Sequence, residues 1–312
     1  MLAIVLALAS ALAYGVSDYT AGLASRDFSV IQVTLVSAAA STLVVAAVLP
    51  FAAAHPPGAA SLAWGALAGL GEEVGALALY YGFRHAAFSV AGPLSAVGAA
   101  GFAVIAGLLF GERPSALALT GIILAWPAIV GVSASAAAAE QREGEVAQGE
   151  VAQGEGAQGE GGQGEGEGGR APGRFTGVVA GLVAGACFSL LFIGLNRAGS
   201  HSGLWPVASA SGAELAMAVV VAAATRNLRR PAAHQGWLAV FTGVTGAGGI
   251  VAYFFATHDG FLAVTAVLTS LYPAVTIVLA RVMLGEKLTA LRLAGLGLAA
   301  ACVALIAAGG AG

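Results

Sequence analysis

The stretch "LFGERPSAL" at residues 109–117 returns in altered form as "MLGEKLTAL" at residues 283–291, 174 positions later. Sliding the chain onto itself by that offset keeps register from end to end. Gly69 meets Gly243, Gly75 meets Gly249, Gly111-Glu112 meets Gly285-Glu286, and Gly121 meets Gly295. Ala3, Ala7 and Ala11 meet Gly177, Gly181 and Gly185, so both copies open with a small residue at every fourth position. That spacing lets two helix backbones approach closely. Tyr14 meets Phe188, and Tyr80-Tyr81 meets Phe254-Phe255. A single offset that survives every loop marks a duplicated unit, because chance likeness between apolar helices would not keep register through the breaks.

The composition says what kind of unit was duplicated. Of 312 residues, 58% are hydrophobic and 9% charged, against about 25% charged in a soluble domain. So few charges cannot cover a water-facing surface, so an integral membrane protein, placed in the cell membrane, is expected. The net charge of −3 leaves no basic face for nucleic acid. Cys187 and Cys302 sit in apolar runs at a spacing that fits no metal motif, and read as small buried hydrophobes. The run 2–24 lacks the basic start of a signal peptide and belongs to the repeat, so it is read as a mature helix.

A bilayer core needs about 20 apolar residues per helix. Ten such segments are present, at 2–24, 29–51, 61–83, 87–109, 116–136, 175–196, 204–225, 237–257, 261–284 and 289–309. Turn or charged residues separate most of them, and His55, His85, His201, His234 and His258 all fall at or near these breaks, as solvated loop residues would. Residues 139–174 differ: a Gly/Glu/Gln-rich run with a five-residue period, too poor in apolar surface to offset chain entropy, predicts a disordered linker. The expected fold is therefore an all-α integral membrane protein of ten transmembrane helices. It divides into five-helix repeats at 1–138 and 175–312. An odd helix number per repeat forces the second copy to enter the membrane from the opposite side. Inverted repeats of this kind are the architecture of many secondary transporters, with the substrate site near the midplane between the copies.

Two five-helix units, each with Gly-Glu-Arg/Lys before its last helix, resemble the EamA-type members of the drug/metabolite transporter superfamily. "AYGVSDYTAGLASRDFS" (13–29) and "SVAGPLSAVGAAGFAVIAGLLFGERPS" (89–115) are similar to that family's patterns, and "AVTAVLTSLYPAVTIVLARVMLGEKLT" (263–289) is the stronger match. The resemblance covers nearly all of the chain outside 138–174, and the long linker departs from the family's usual short connection. It implies ten helices and transport, mostly export, of small metabolites; a secondary transporter of small metabolites or drugs, with no cofactor and no enzymatic activity, is expected.

An ionisable side chain inside a membrane helix costs about 2.5–3.5 kcal/mol on insertion scales and is a functional candidate by default. Asp18, Glu72, Glu73 and Glu214 qualify, and no Lys or Arg lies equally deep, Arg281 being close enough to a break to snorkel. Glu72, Ala76 and Tyr80 share one helix face. Neighbouring carboxylates in a low dielectric resist being ionised together, which suits a proton-coupling site; the alternative is an acid hydrogen-bonded to the next helix. Asp18 lies one turn after Tyr14 and nearer a helix end, where it could also cap or face water. Tyr14 and Tyr80 are the candidate lining aromatics, among a wider set that includes Trp126, Trp205 and Tyr272. Pro93 and Pro273 should kink or break the fourth helix of each unit.

Gly111 and Gly285 are expected to end helices through positive φ, with Glu112 and Glu286 placed by the dipole of the following helix. The acids and the absence of a deep base disfavour an anionic substrate. A neutral, zwitterionic or cationic small molecule, exchanged for a proton, fits better. The alternatives are a flippase for lipid-linked intermediates, with the same fold, or a non-transporting membrane scaffold or sensor. No nucleotide motif, metal-ligand spacing or nucleophile elbow is present. Orientation has two readings. Positive charge gathers on the loops that would be cytoplasmic if both termini were outside, whereas the family resemblance implies both termini inside.

Overall fold

The computed structural model describes residues 1–24, 29–52, 55–85, 88–130, 173–226, 233–284 and 290–309. Among these the regular structure is α-helical. The first half holds α1 (Leu2–Ala24), α2 (Val30–Ala52), α3 (Ala59–His85) and α4 (Phe88–Leu109), followed by α5 (Ala116–Val130). The second half holds α6 (Gly173–Arg197), α7 (Trp205–Ala224), α8 (Ala233–Asp259), α9 (Leu262–Thr269), α10 (Tyr272–Leu284) and α11 (Ala290–Gly309). Since α9 and α10 are two pieces of one apolar run, the helices correspond one to one with the ten expected segments. Among the described residues, six stretches are long and apolar enough to cross a bilayer, and four shorter apolar ones complete the set. Residues 139–172 of the expected linker and the motif pair Gly285-Glu286 lie outside the described residues.

Burial differs from that of a soluble protein in how many large apolar side chains face outward. Alanines such as Ala7, Ala184, Ala210 and Ala247 are fully buried, while Phe51, Val282 and Leu43 are 91%, 72% and 71% exposed. Lipid tails are as apolar as leucine, so large side chains gain little hydrophobic energy by turning inward and can remain on the lipid side. Small ones turned inward let helices close up. The chain is a multi-pass integral membrane protein.

Most helix packing lies between the halves, not within them, and it is reciprocal. Helix α3 lies on α6 and α7; its counterpart 174 residues on, α8, lies on α1 and α2. Helix α4 lies on α6, and α9 with α10 lies on α1. The remaining large contacts pair counterparts with each other, α2 with α7 and α4 with α9. Single residues repeat the pattern. A Cβ at Gly69 would strike the carbonyl oxygen of Ala210 on α7, and one at Gly243 would strike that of Ser37 on α2. A Cβ at Gly75 would sit 2.8 Å from the Phe188 ring, and one at Gly249 would sit 3.1 Å from the Tyr14 ring. The contacts also give directions: Gly71 and Gly194 place α6 antiparallel to α3, against Cys187 and Ala68 respectively.

The ninth span breaks where the proline predicts a disturbance. Pro273 has no N–H to offer the carbonyl of Thr269. The chain turns there through bonds from Ser270 N–H to Ala266 O (2.9 Å), Leu271 N–H to Leu268 O (3.2 Å) and Ala274 N–H to Leu271 O (2.9 Å). The Thr269 hydroxyl donates to Ala7 O (3.4 Å) and the Thr276 hydroxyl to Gly15 O (3.1 Å), so both pieces are tied to α1.

Helix α4 ends as expected at Gly111, whose φ of +95° suits glycine. The expected role of Glu112 is corrected. It does not serve the start of α5, where Ser115 already caps by accepting the Ala118 N–H at 3.2 Å. Instead its two carboxylate oxygens accept the backbone N–H groups of Leu262 (2.5 Å) and Ala263 (2.9 Å). These are free donors at the N-terminus of α9, in the other half. Gly107 leaves room for the carboxylate, since a Cβ there would collide with it. Burial pushes the Glu112 carboxyl above the usual carboxylate value, and the two N–H donors pull it partway back. His258 is a second correction. It is not a solvated loop residue but belongs to α8, with its ring 4.5 Å from that of Phe254 and Nε2 buried without a partner.

Candidate functional site

The deep acids stand on three helices that the fold brings together. Helix α1 supplies Tyr14 and Asp18, α3 supplies Glu72 and Glu73, and α7 supplies Glu214; all five line one cavity of about 130 Å³. Each half contributes to its wall. Thr34, Ser37 and Ser41 of α2 add hydroxyls from the first half. Phe188 and Phe192 of α6, with Thr269 and Tyr272 on either side of the α9–α10 break, come from the second. Tyr80, the remaining candidate, has its side chain outside the described residues; its backbone lies one turn beyond Ala76, which lines the cavity.

Adjacent residues on a helix point about 100° apart, yet Glu72 and Glu73 both line this cavity. Glu72 stands within electrostatic range of Glu73 and Asp18, and Glu214 within range of Glu72 and Glu73. Glu73 is 2% exposed, and its Oε1 has no hydrogen-bond partner. The Tyr14 hydroxyl is also buried without a partner. So is the hydroxyl of Ser211, one turn before Glu214. A buried polar oxygen left unpaired costs about 1–3 kcal/mol. Three such atoms at or beside one cavity mark a place where the fold gives up stability to keep polar groups available.

Among the described residues, no Lys, Arg or His lines the cavity. The side chain of Arg281 lies outside the described residues. No cluster of His, Cys, Asp and Glu among the described residues is arranged to hold a metal ion. Sequence reasoning did not nominate Phe188, although it is the counterpart of Tyr14 at the 174 offset, and that match was the available signal. The α2 and α9 hydroxyls carried no signal, since Ser and Thr are ordinary in membrane helices.

The cavity is placed toward one membrane face. On α1 it uses Tyr14 to Ala21, on α2 Thr34 to Ser41 and on α3 Glu72 to Leu79, all in the half of the bundle nearer the C-terminus of α1. Toward the other end Leu195, Leu204, Tyr253, Phe254 and Leu262 are buried, the Tyr253 hydroxyl donates to Phe192 O at 3.3 Å, and Glu112 ties the end of α4 to the start of α9.

Residues 175–308 match the EamA-like transporter family, consistent with the drug/metabolite transporter superfamily. No curated protein matches the chain. Among solved structures, one titled only as the crystal structure of a protein is 17% identical, with a TM-score of 0.70 over 97% of this chain and 95% of that one. At that identity the likeness speaks to the fold.

Proposed function

We propose that this chain, with its EamA-like second half, is a secondary active transporter that exports small metabolites or drugs by alternating access. The observation that carries the reading is the cavity between two reciprocally packed halves, lined by both. The two halves are inverted repeats. The opposed course of α3 and α6 supports this, because the first helix of the second half then runs against that of the first. Residues 1–138 and 175–312 are the two units, joined by 139–174. A scaffold has no need of a polar chamber that leaves hydrogen bonds unmade.

Transport is coupled to protons carried by Glu72, Glu73 or Glu214. Protonation from one side and release to the other biases the two access states. Glutamine copies the protonated acid but cannot cycle. Glu72→Gln, Glu73→Gln and Glu214→Gln, made singly and reconstituted in liposomes, should include at least one variant that loses pH-gradient-driven uptake. That variant should still exchange substrate at equal pH. Full proton-driven transport in all three would sink the coupling; an absence of substrate exchange by the unmodified protein would sink transport itself.

A further inference from the structure

We propose that the ligand of this cavity is a small organic cation bearing an apolar, aromatic-sized portion, such as a protonated or quaternary amine. The inference rests on the transporter reading and narrows it to a substrate class. Carboxylates reach the cavity from three helices, as Asp18, Glu72, Glu73 and Glu214. One of them, Glu73, is almost wholly buried and keeps an oxygen without a partner. An acceptor held in that condition lacks a donor, and a cationic N–H or N–CH₃ group supplies the complementary charge.

The aromatic rings point the same way. Tyr14, Phe188, Phe192 and Tyr272 line the cavity beside the acids. The face of an aromatic ring attracts a cation, and aromatic walls with a nearby acid are how quaternary ammonium groups are recognised. The Tyr14 and Phe188 rings pack closely against α8 and α3 at Gly249 and Gly75, where a Cβ would crowd them. The two rings therefore form matched walls, one from each half. A zwitterion would bring a carboxylate that meets acids and hydroxyls only, since no base lines the cavity among the described residues. An anion would meet acids from three sides. A sugar would find hydroxyl partners but no use for four carboxylates around one chamber.

Three probes with a shared benzyl frame separate these classes: benzyltrimethylammonium, phenylalanine and 3-phenylpropionate. Binding of each to the purified full-length protein in nanodiscs is measured by calorimetry, and counterflow of each in proteoliposomes by radiolabel. The cation should bind at least tenfold more tightly than phenylalanine, with no measurable binding of the anion. Glu73→Gln or Glu214→Gln should weaken the cation by tenfold or more, and Phe188→Leu by about 2- to 30-fold. The ranking of the three probes on the unmodified protein needs no variant to fold. Equal or tighter binding of phenylalanine or 3-phenylpropionate overturns the proposal, as does unchanged cation affinity in well-folded glutamine variants. Counterflow of the anion or zwitterion alone would leave transport standing and remove the cation. Tight cation binding with no counterflow would keep the ligand class and remove transport.

Discussion

Glu112 shows how far a residue's role can lie from its neighbours in sequence. Its carboxylate serves two N–H groups about 150 positions away, at the start of a helix in the other half. Hydrogen bonds to a charged group contribute about 1.5–3 kcal/mol each. Glu112→Ala should therefore lower the thermal midpoint of the detergent-purified protein, by an amount reflecting about 3–6 kcal/mol, and Glu112→Gln should lose less. An unchanged midpoint in both would mean the clasp is not formed in the membrane protein. The deep acids were legible from sequence because a carboxylate in an apolar run has few bland explanations. The partner of Glu112 was not, because helix dipole reasoning offers the nearest helix start, and Ser115 already occupied that one.

Among the elements, the helices were legible from apolar length and from the residues at their breaks. The faces they use were not, because almost every position is apolar and no stripe stands out. The close contacts are set by glycines whose neighbours lie in the other half. Gly69→Ala should destabilise the fold by about 1–3 kcal/mol through overpacking, since the new Cβ meets the backbone of Ala210. Gly248→Ala is the control: nothing lies within 4 Å of its Cβ position. Thermal unfolding followed by size-exclusion chromatography distinguishes them, and equal midpoints would count against the tight α3–α7 crossing. The interruption at Ser270-Leu271 was foreshadowed by Pro273, but its place beside the cavity depends on α1, which no local pattern reveals.

At the scale of the molecule, the all-helical layout was legible in the sequence, because the ten apolar segments and the 174-residue offset already mark five helix correspondences. The linker was assigned by composition alone. Helices α5 and α6 are joined through it, and the contacts of the two halves do not require it. Shortening 144–168 to about ten residues, a flexible reach of roughly 16–19 Å, should leave folding and transport intact. A loss of membrane insertion would show a structural task for the segment. The orientation is decided by labelling single cysteines from outside intact cells, in a background lacking Cys187 and Cys302. Ser202 is buried, so the exposed neighbour His201 is the better position on one face, paired with Gly162 of the linker on the other. Labelling at Gly162 alone places the N-terminus inside; labelling at His201 alone places it outside, as the positive charges favour.

The clasp also has a bearing on time. Glu112 joins the end of α4 to the start of α9, and α9 is the helix that breaks beside the cavity. Any movement that separates α4 from α9 must first let go of two charge-assisted bonds. Each 1.4 kcal/mol left uncompensated at that moment slows the step about tenfold. In the alternating-access cycle proposed above, this one carboxylate, outside the cavity, would be the escapement that sets how long the chamber waits before it turns to the other side.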